Sequence, residues 1–249
     1  MFTALIADDE TAPRAHLLAC LSRVWPDLKK IEATDGGDAW DAFLEHEPDI
    51  AFLDVRMRGL TGIEVAQRIG GRAHIVFVSK PGDHAVAAFA NGSADCVLKP
   101  VDDANLAPVI ARIRARLAQP GGQPADLQGL LDRLAGQVRK PAPLEVLQTG
   151  AGHDAALVRV ADVVYFESDS RYTRAVYQDG DVLIRTPLKD LLSQLDAKRF
   201  WQVHRSLIVN QQHIAGTQRQ DDGHMVLALR GRAEKLPVSR HFQGLFGAG

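Results

Sequence analysis

Cysteine is scarce in this chain: only Cys20 and Cys96 occur in 249 residues. Two thiols exclude a disulfide framework and suit a reducing compartment, and both read as small buried hydrophobes. No apolar run approaches the roughly 20 residues that a membrane span needs. The first residues, Met1-Phe2-Thr3-Ala4, show no basic segment leading into an apolar stretch, so no signal peptide is expected. A cytoplasmic protein with no membrane partner is the expectation. No Gly-x-x-x-x-Gly-Lys-Ser/Thr loop occurs, which removes support for nucleotide hydrolysis. No Cys/His spacing suggests zinc, Ser206 and His204 lack a nucleophile elbow, and no internal repeat of fixed period is found. What remains is a 46% hydrophobic chain, enough for real cores, at a length that fits one or two domains.

Charge divides the chain modestly. Residues 1–118 hold 13 Lys+Arg against 17 Asp+Glu, whereas residues 144–249 hold 13 against 12 and five of the nine His. The second half is no basic tail, so any nucleic-acid affinity must come from a local patch.

The first half alternates short apolar runs with amphipathic stretches: Leu5-Ile6-Ala7, Ile50 to Leu53, Ile75 to Val78 and Val97-Leu98. This is the pattern of parallel strands with crossover helices. Helices are expected over roughly 12–24, 37–46, 62–69, 83–91 and 102–117. Thr11, Asp35, Thr61 and Asp102 stand at N-cap positions, and Pro13 suits a first turn. The runs end in Asp8-Asp9-Glu10, Asp54, Ser79 and Lys99-Pro100. Side chains at the carboxyl ends of central strands converge on one crevice, so carboxylates, a hydroxyl and an ammonium should share a pocket. Magnesium needs only one or two carboxylates and keeps several waters. Asp9 and Asp54 would be its ligands, with Asp8 acting through water. A carboxylate beside the cation is also a nucleophile toward phosphorus. The cation, the Lys99 ammonium and the Ser79 hydroxyl would each take one phosphoryl oxygen. A cis bond before Pro100 is expected to fix that loop.

Residues 1–118 resemble the receiver domain of two-component response regulators. The matching pieces are Ala7-Asp8-Asp9-Glu10, Leu53-Asp54-Val55-Arg56-Met57, Gly62, Phe77-Val78-Ser79 and Leu98-Lys99-Pro100. The resemblance implies a flavodoxin-like α/β fold with a five-stranded parallel sheet, Mg2+ as cofactor, and phosphotransfer from a sensor histidine kinase onto Asp54. Asp8 and Asp9 match the metal-binding acids, and the Arg56 backbone carbonyl matches the third protein ligand. Ser79 and Lys99 match the switch hydroxyl and the phosphate-binding lysine. Three positions depart from the pattern: Cys96 where an aromatic switch residue is usual, Lys80 where a small residue follows the hydroxyl, and Arg58 where proline is common. Lys80 is placed to limit access to Asp54 or to respond to its charge.

Gln119-Pro120-Gly121-Gly122-Gln123-Pro124 reads as the start of a linker spanning 119–143. Within it Leu127, Leu130, Leu131, Leu134 and Val138 form one apolar helix face. This face packs on its own chain or serves a dimerising helix. From 144 to 249 short alternating runs recur, divided by turn signals such as Asp179-Gly180 and Asp222-Gly223, with one helix near 188–195. Three polar sets stand out: Ser168 to Arg174, His204-Arg205-Ser206, and Ser239-Arg240-His241. Arg205 offers a planar fork suited to guanine or phosphate.

Taken together these pieces resemble the LytTR DNA-binding domain, through Tyr165-Phe166-Glu167-Ser168, Tyr172, Arg185 with Leu188, His204-Arg205-Ser206 to Val209-Asn210, and Pro237-Val238-Ser239-Arg240. That resemblance implies an elongated, mostly-β fold whose loops enter the major grooves of double-stranded DNA. Tyr172, Thr173, Arg205 and Arg240 match the contact positions. His204 would support its loop, and Arg171 and Arg174 would touch phosphates. A phosphorylation-regulated transcription factor binding promoter half-sites as a homodimer is therefore expected. A constitutively dimeric factor and a protein-binding adaptor are the alternatives. An enzyme of the haloacid-dehalogenase type would need a second acid two residues after Asp54, where Arg56 stands.

Overall fold

The computed structural model describes residues 1–81, 95–118, 143–149, 156–169, 171–220 and 224–247. The chain divides into two compact units, Met1–Lys140 and Pro141–Gly249. The expected helix at 83–91, the linker residues 119–142 with the apolar face from Leu127 to Val138, and the turn at Asp222-Gly223 lie outside the described residues. Among the described residues no helix is long and apolar enough to cross a membrane.

The first unit is a five-stranded parallel sheet in the order β2-β1-β3-β4-β5. Its strands are β1 (Thr3–Ala7), β2 (Lys29–Ala33), β3 (Ile50–Asp54), β4 (His74–Ser79) and β5 (Asp95–Leu98). Helices α1 (Thr11–Val24), α2 (Gly36–His46), α3 (Gly62–Ile69) and α4 (Asp103–Leu117) lie between or after them. Both faces of the inner strands are covered, so β1, β3 and β4 read as continuous apolar runs rather than alternating ones. Ile6, Phe52 and Val78 point toward Leu17, Leu21, Leu106 and Ile110 in one core cluster with α1 and α4. The edge strand β2 has the sequence Lys-Lys-Ile-Glu-Ala and is half-exposed, which explains why no apolar run announces it.

Three helices begin as the sequence dictates. The side chains of Asp35, Thr61 and Asp102 accept from the backbone N–H groups of Asp38, Glu64 and Asn105. Thr61 and Glu64 complete a reciprocal capping box. Thr11 departs from expectation. It is the first residue of α1, and the preceding Glu10 occupies the cap position without a side-chain bond. That carboxylate is engaged elsewhere, with Lys80.

The second unit is β-rich. A five-stranded antiparallel sheet runs β10-β9-β8-β12-β11, a three-stranded sheet runs β13-β14-β15, and β6 pairs with β7. Its strands are β6 (Val146–Thr149), β7 (Ala156–Arg159), β8 (Val163–Asp169), β9 (Tyr172–Tyr177), β10 (Gly180–Ile184), β11 (Phe200–His204), β12 (Leu207–Asn210), β13 (Ile214–Arg219), β14 (Met225–Leu229) and β15 (Lys235–Val238), with α5 (Leu188–Gln194) between β10 and β11. Phe166, Ala175, Ile208 and Val203 are fully buried on the larger sheet, with Leu191 of α5 among the core residues.

Candidate functional site

The sheet order places β1 and β3 side by side, with their outward connections leaving in opposite directions. In an open α/β sheet this is where a crevice opens beyond the carboxyl ends. Asp8 follows β1 and Asp54 ends β3, while Ser79 ends β4 and Lys99 follows β5. Asp8, Asp54, Ser79 and Lys99 are all buried despite their polarity, and buried polar groups demand partners.

The partners are one another. Lys99 Nζ lies 2.7 Å from Asp8 Oδ2 and 2.5 Å from Asp54 Oδ2. The other Asp54 oxygen accepts from the Arg56 backbone N–H at 3.0 Å. Asp8 Oδ1 accepts from the Glu10 N–H at 2.9 Å, and the Asp8 carbonyl accepts from Arg14 Nη1 at 2.8 Å. Burial works against the charge on Lys99, but its hydrogen bonds to Asp54 and Asp8 outweigh that and hold its pKa above the ordinary lysine value. It is an ammonium clamped between two acids. The Lys99 N–H donates to the Ser79 carbonyl at 2.8 Å, and the Lys99-Pro100 bond is cis, as expected.

Asp8, Asp9, Glu10 and Asp54 present carboxylate oxygens that all lie within 4.8 Å of one another. Four hard oxygen donors against one inserted ammonium suit a small divalent cation with retained waters rather than zinc or copper. The expected donors Asp8, Asp9 and Asp54 are thus brought together, and Arg56 stands beside them through its backbone.

Two cations at this rim stand at positions that depart from the family pattern. Arg58 donates its backbone N–H to Asp9 Oδ2 at 3.2 Å, and its Nε lies 3.6 Å from the same oxygen. Lys80 Nζ lies 2.6 Å from Glu10 Oε1. Cys96 is half-buried rather than fully buried, because β5 is the sheet edge. Burial still pushes its thiol up to about 11, so it is protonated and unreactive at neutral pH.

In the second unit, three chain segments meet at one end. The Ser168 N–H donates to the Ser206 carbonyl, and the Ser239 N–H donates to the Val203 carbonyl, both at 2.9 Å. These bonds tie the end of β8, the β11–β12 turn and the end of β15 together. Arg205 and Arg240 are exposed there, as are Arg171 and Tyr172 at the start of β9. His204 serves the turn. Its Nδ1 accepts from the Ser206 N–H at 3.3 Å and lies 2.8 Å from the Ser206 hydroxyl. Burial and then the neighbouring Arg205 charge lower its pKa, which keeps the ring neutral and the acceptor available.

Two residues expected at the DNA contact, Thr173 and the phosphate-touching Arg174, stand differently. Thr173 is buried and its hydroxyl donates to the Thr186 carbonyl at 2.8 Å. Alternation along β9 turns Thr173 inward where Tyr172 turns outward, so Thr173 is corrected to a supporting residue. Arg174 lies 3.4 Å from Glu167 and 3.2 Å from Asp181 on the flanking strands, so its charge is already shared between two carboxylates.

Comparison with known proteins follows the same division. A family model for the response regulator receiver domain matches residues 4–111, and one for the LytTr DNA-binding domain matches residues 154–247. An uncharacterised response regulatory protein of Vibrio cholerae is 34% identical over 98% of this chain and 97% of its own length. The chain belongs to the LytTR-type response regulators. Other full-length relatives of this response regulator include the positive alginate biosynthesis regulatory protein of Pseudomonas aeruginosa, 28% identical over 97% of this chain and 96% of that one. The sensory transduction protein LytT of Bacillus subtilis is 24% identical with the same coverages. The response regulator is thus a two-component protein that acts as a DNA-binding regulator of transcription.

Proposed function

We propose that the response regulator accepts a phosphoryl group on Asp54 from a sensor histidine kinase and, so modified, binds promoter half-sites on double-stranded DNA as a homodimer. The observation that carries this is the Lys99 ammonium held between Asp8 and Asp54 inside a ring of carboxylates. In the transfer an Asp54 oxygen bonds to phosphorus as the phosphorus–nitrogen bond of a phosphohistidine breaks, and the departing imidazole keeps the electron pair. Lys99 would follow the charge on the oxygens, and the Ser79 hydroxyl would donate to one of them. Asp9, Asp54 and the Arg56 carbonyl would hold Mg2+, with Asp8 acting through water. When bound, the ion neutralises phosphoryl charge and orients the group. Nearly all the chemistry is positioning and electrostatics.

At the other end of the chain, the exposed Arg205, Arg240, Arg171 and Tyr172 form the DNA-facing set, supported by His204 and Thr173. Arg174 adds at most a phosphate contact.

Incubation with acetyl phosphate and magnesium, followed by intact mass measurement, tests the first half. The wild type gains one labile phosphoryl group and Asp54→Asn gains none. A wild-type protein that stays unmodified while binding magnesium sinks the reading.

A further inference from the structure

The rim of the phosphoacceptor pocket carries a second ammonium that the chemistry above does not use. Lys80 directly follows Ser79 and precedes Pro81. Its Nζ lies 2.6 Å from Glu10 Oε1, and that oxygen lies 4.0 Å from Lys99 Nζ. The Glu10 carboxylate also sits within 4.8 Å of the Asp54 carboxylate. Lys80 therefore stands one carboxylate away from the phosphoacceptor. Its side chain is 58% exposed and that of Glu10 47%. Both groups stand in water, where an ion pair is held weakly. Lys99, by contrast, is fixed by two buried acids.

We propose that Lys80 is a second phosphate-binding cation, resting on Glu10 while Asp54 is a free carboxylate and moving onto the phosphoryl oxygens once Asp54 is modified, where it prolongs the acyl phosphate. The proposal rests on phosphorylation of Asp54. A phosphoryl group brings up to about two negative charges into the gap beyond Glu10. It outcompetes a single carboxylate for an ammonium on a flexible stem. Loss of the group requires water oxygen to bond to phosphorus while the Asp54 oxygen–phosphorus bond breaks. The bonding pair returns to the carboxylate, and the water proton leaves with inorganic phosphate. In a loose, metaphosphate-like transition state, negative charge drains from the phosphoryl oxygens toward the departing carboxylate. A cation on the phosphoryl side then stabilises the acyl phosphate more than the transition state, and the loss slows. Lys99, already bonded to an Asp54 oxygen, reaches the phosphoryl group from the Asp54 side of the pocket. Lys80, reaching in from Glu10, approaches from the other.

The test uses the full chain as wild type, Lys80→Met and Lys80→Arg. Each is phosphorylated with acetyl phosphate and magnesium, the donor is removed, and decay of the Asp54 adduct is followed by intact mass. Lys80→Met is expected to lose phosphate about tenfold faster, the worth of one charge-assisted hydrogen bond. Lys80→Arg, which keeps the charge, is expected within about twofold of wild type. A second readout needs no turnover: affinity for beryllofluoride, followed by fluorine NMR at saturating magnesium, should weaken in Lys80→Met and be restored in Lys80→Arg. Wild-type decay and wild-type beryllofluoride affinity in Lys80→Met overturn the proposal, as does an arginine variant that behaves like methionine. If the wild type forms an adduct and these variants match it, only the Lys80 assignment fails. A wild type that forms none brings down the phosphoacceptor reading with it.

Discussion

Asp95 is a buried carboxylate that answers two arginines and a histidine at once. It begins β5 at the end of the sheet away from the acidic pocket. One of its oxygens lies 2.9 Å from His74 Nε2 and 2.7 Å from Arg116, and the other lies 2.9 Å from Arg112. Burial alone would raise its pKa. The hydrogen bonds from His74 and Arg112, with the Arg116 charge, reverse that and hold it below the ordinary carboxylate value. A depressed folded-state value means stability that is present above the unfolded carboxylate pKa of about 3.9 and is lost as pH falls through the lower folded value. Asp95→Asn should therefore destabilise the receiver unit by about 1–2 kcal/mol at pH 7, since it removes the charge that the partly exposed Arg112 and Arg116 pair with. The gap between its melting temperature and that of wild type should close on acidification toward pH 3. A gap that does not change with pH would count against the charge. Nothing in the sequence singles out Asp95, because His74, Arg112 and Arg116 come from two other elements. The acidic pocket was legible for the opposite reason: each of its residues follows an apolar run that marks a strand end.

At the scale of elements, the seam between β3 and α3 decides where Asp54 stands. Gly62 opens α3 directly against that strand. A Cβ built there would lie 2.1 Å from the Asp54 carbonyl oxygen, a backbone atom that has nowhere to go. Gly62→Ala should cost about 1–3 kcal/mol by overpacking, read as a lower denaturation midpoint. It should also slow phosphorylation by acetyl phosphate, because relief comes from moving the strand end. Normal stability with normal phosphorylation would show that the seam yields freely.

This element was legible from Thr61, the expected N-cap, whose side chain starts the helix where the sequence expects it. Two strands on sheet edges were not. β2 and β13 are polar and largely exposed, so neither produces an apolar run. The inward turn of Thr173 needed the register of β9 against β8 and β10, which sequence spacing leaves undetermined.

For the whole molecule the question is how two units of opposite charge balance share one task. The proposed DNA-facing end offers Arg205, Arg240 and Arg171 among the described residues, so a single copy would neutralise few phosphates and bind weakly at physiological salt. Arg205→Ala or Arg240→Ala should lower affinity by about 1–3 kcal/mol where the residue reads a base. Where it touches only phosphate, the salt slope should instead fall by about one. Gel shifts over a salt series separate the two cases, and circular dichroism confirms that folding is retained. Joining two copies on adjacent half-sites turns the second contact into an intramolecular one and raises avidity by orders of magnitude without any new contact. The receiver supplies the means if the modified Asp54 biases β5 and α4 toward a self-complementary surface. Lys99 links the pocket to that edge, bonding Asp54 through its ammonium and the Ser79 carbonyl through its N–H, while Leu98 beside it stands 43% exposed. Without an aromatic residue at Cys96, such a coupling would run through the backbone around Lys99 and the exposed Leu98. Beryllofluoride with magnesium should therefore raise the sedimentation coefficient from monomer to dimer, and Leu98→Asp should hold the protein monomeric while leaving beryllofluoride binding intact. A dimer already complete without the mimic would assign dimerisation to a surface that phosphorylation does not control, and an unchanged monomer would remove the dimer from the mechanism.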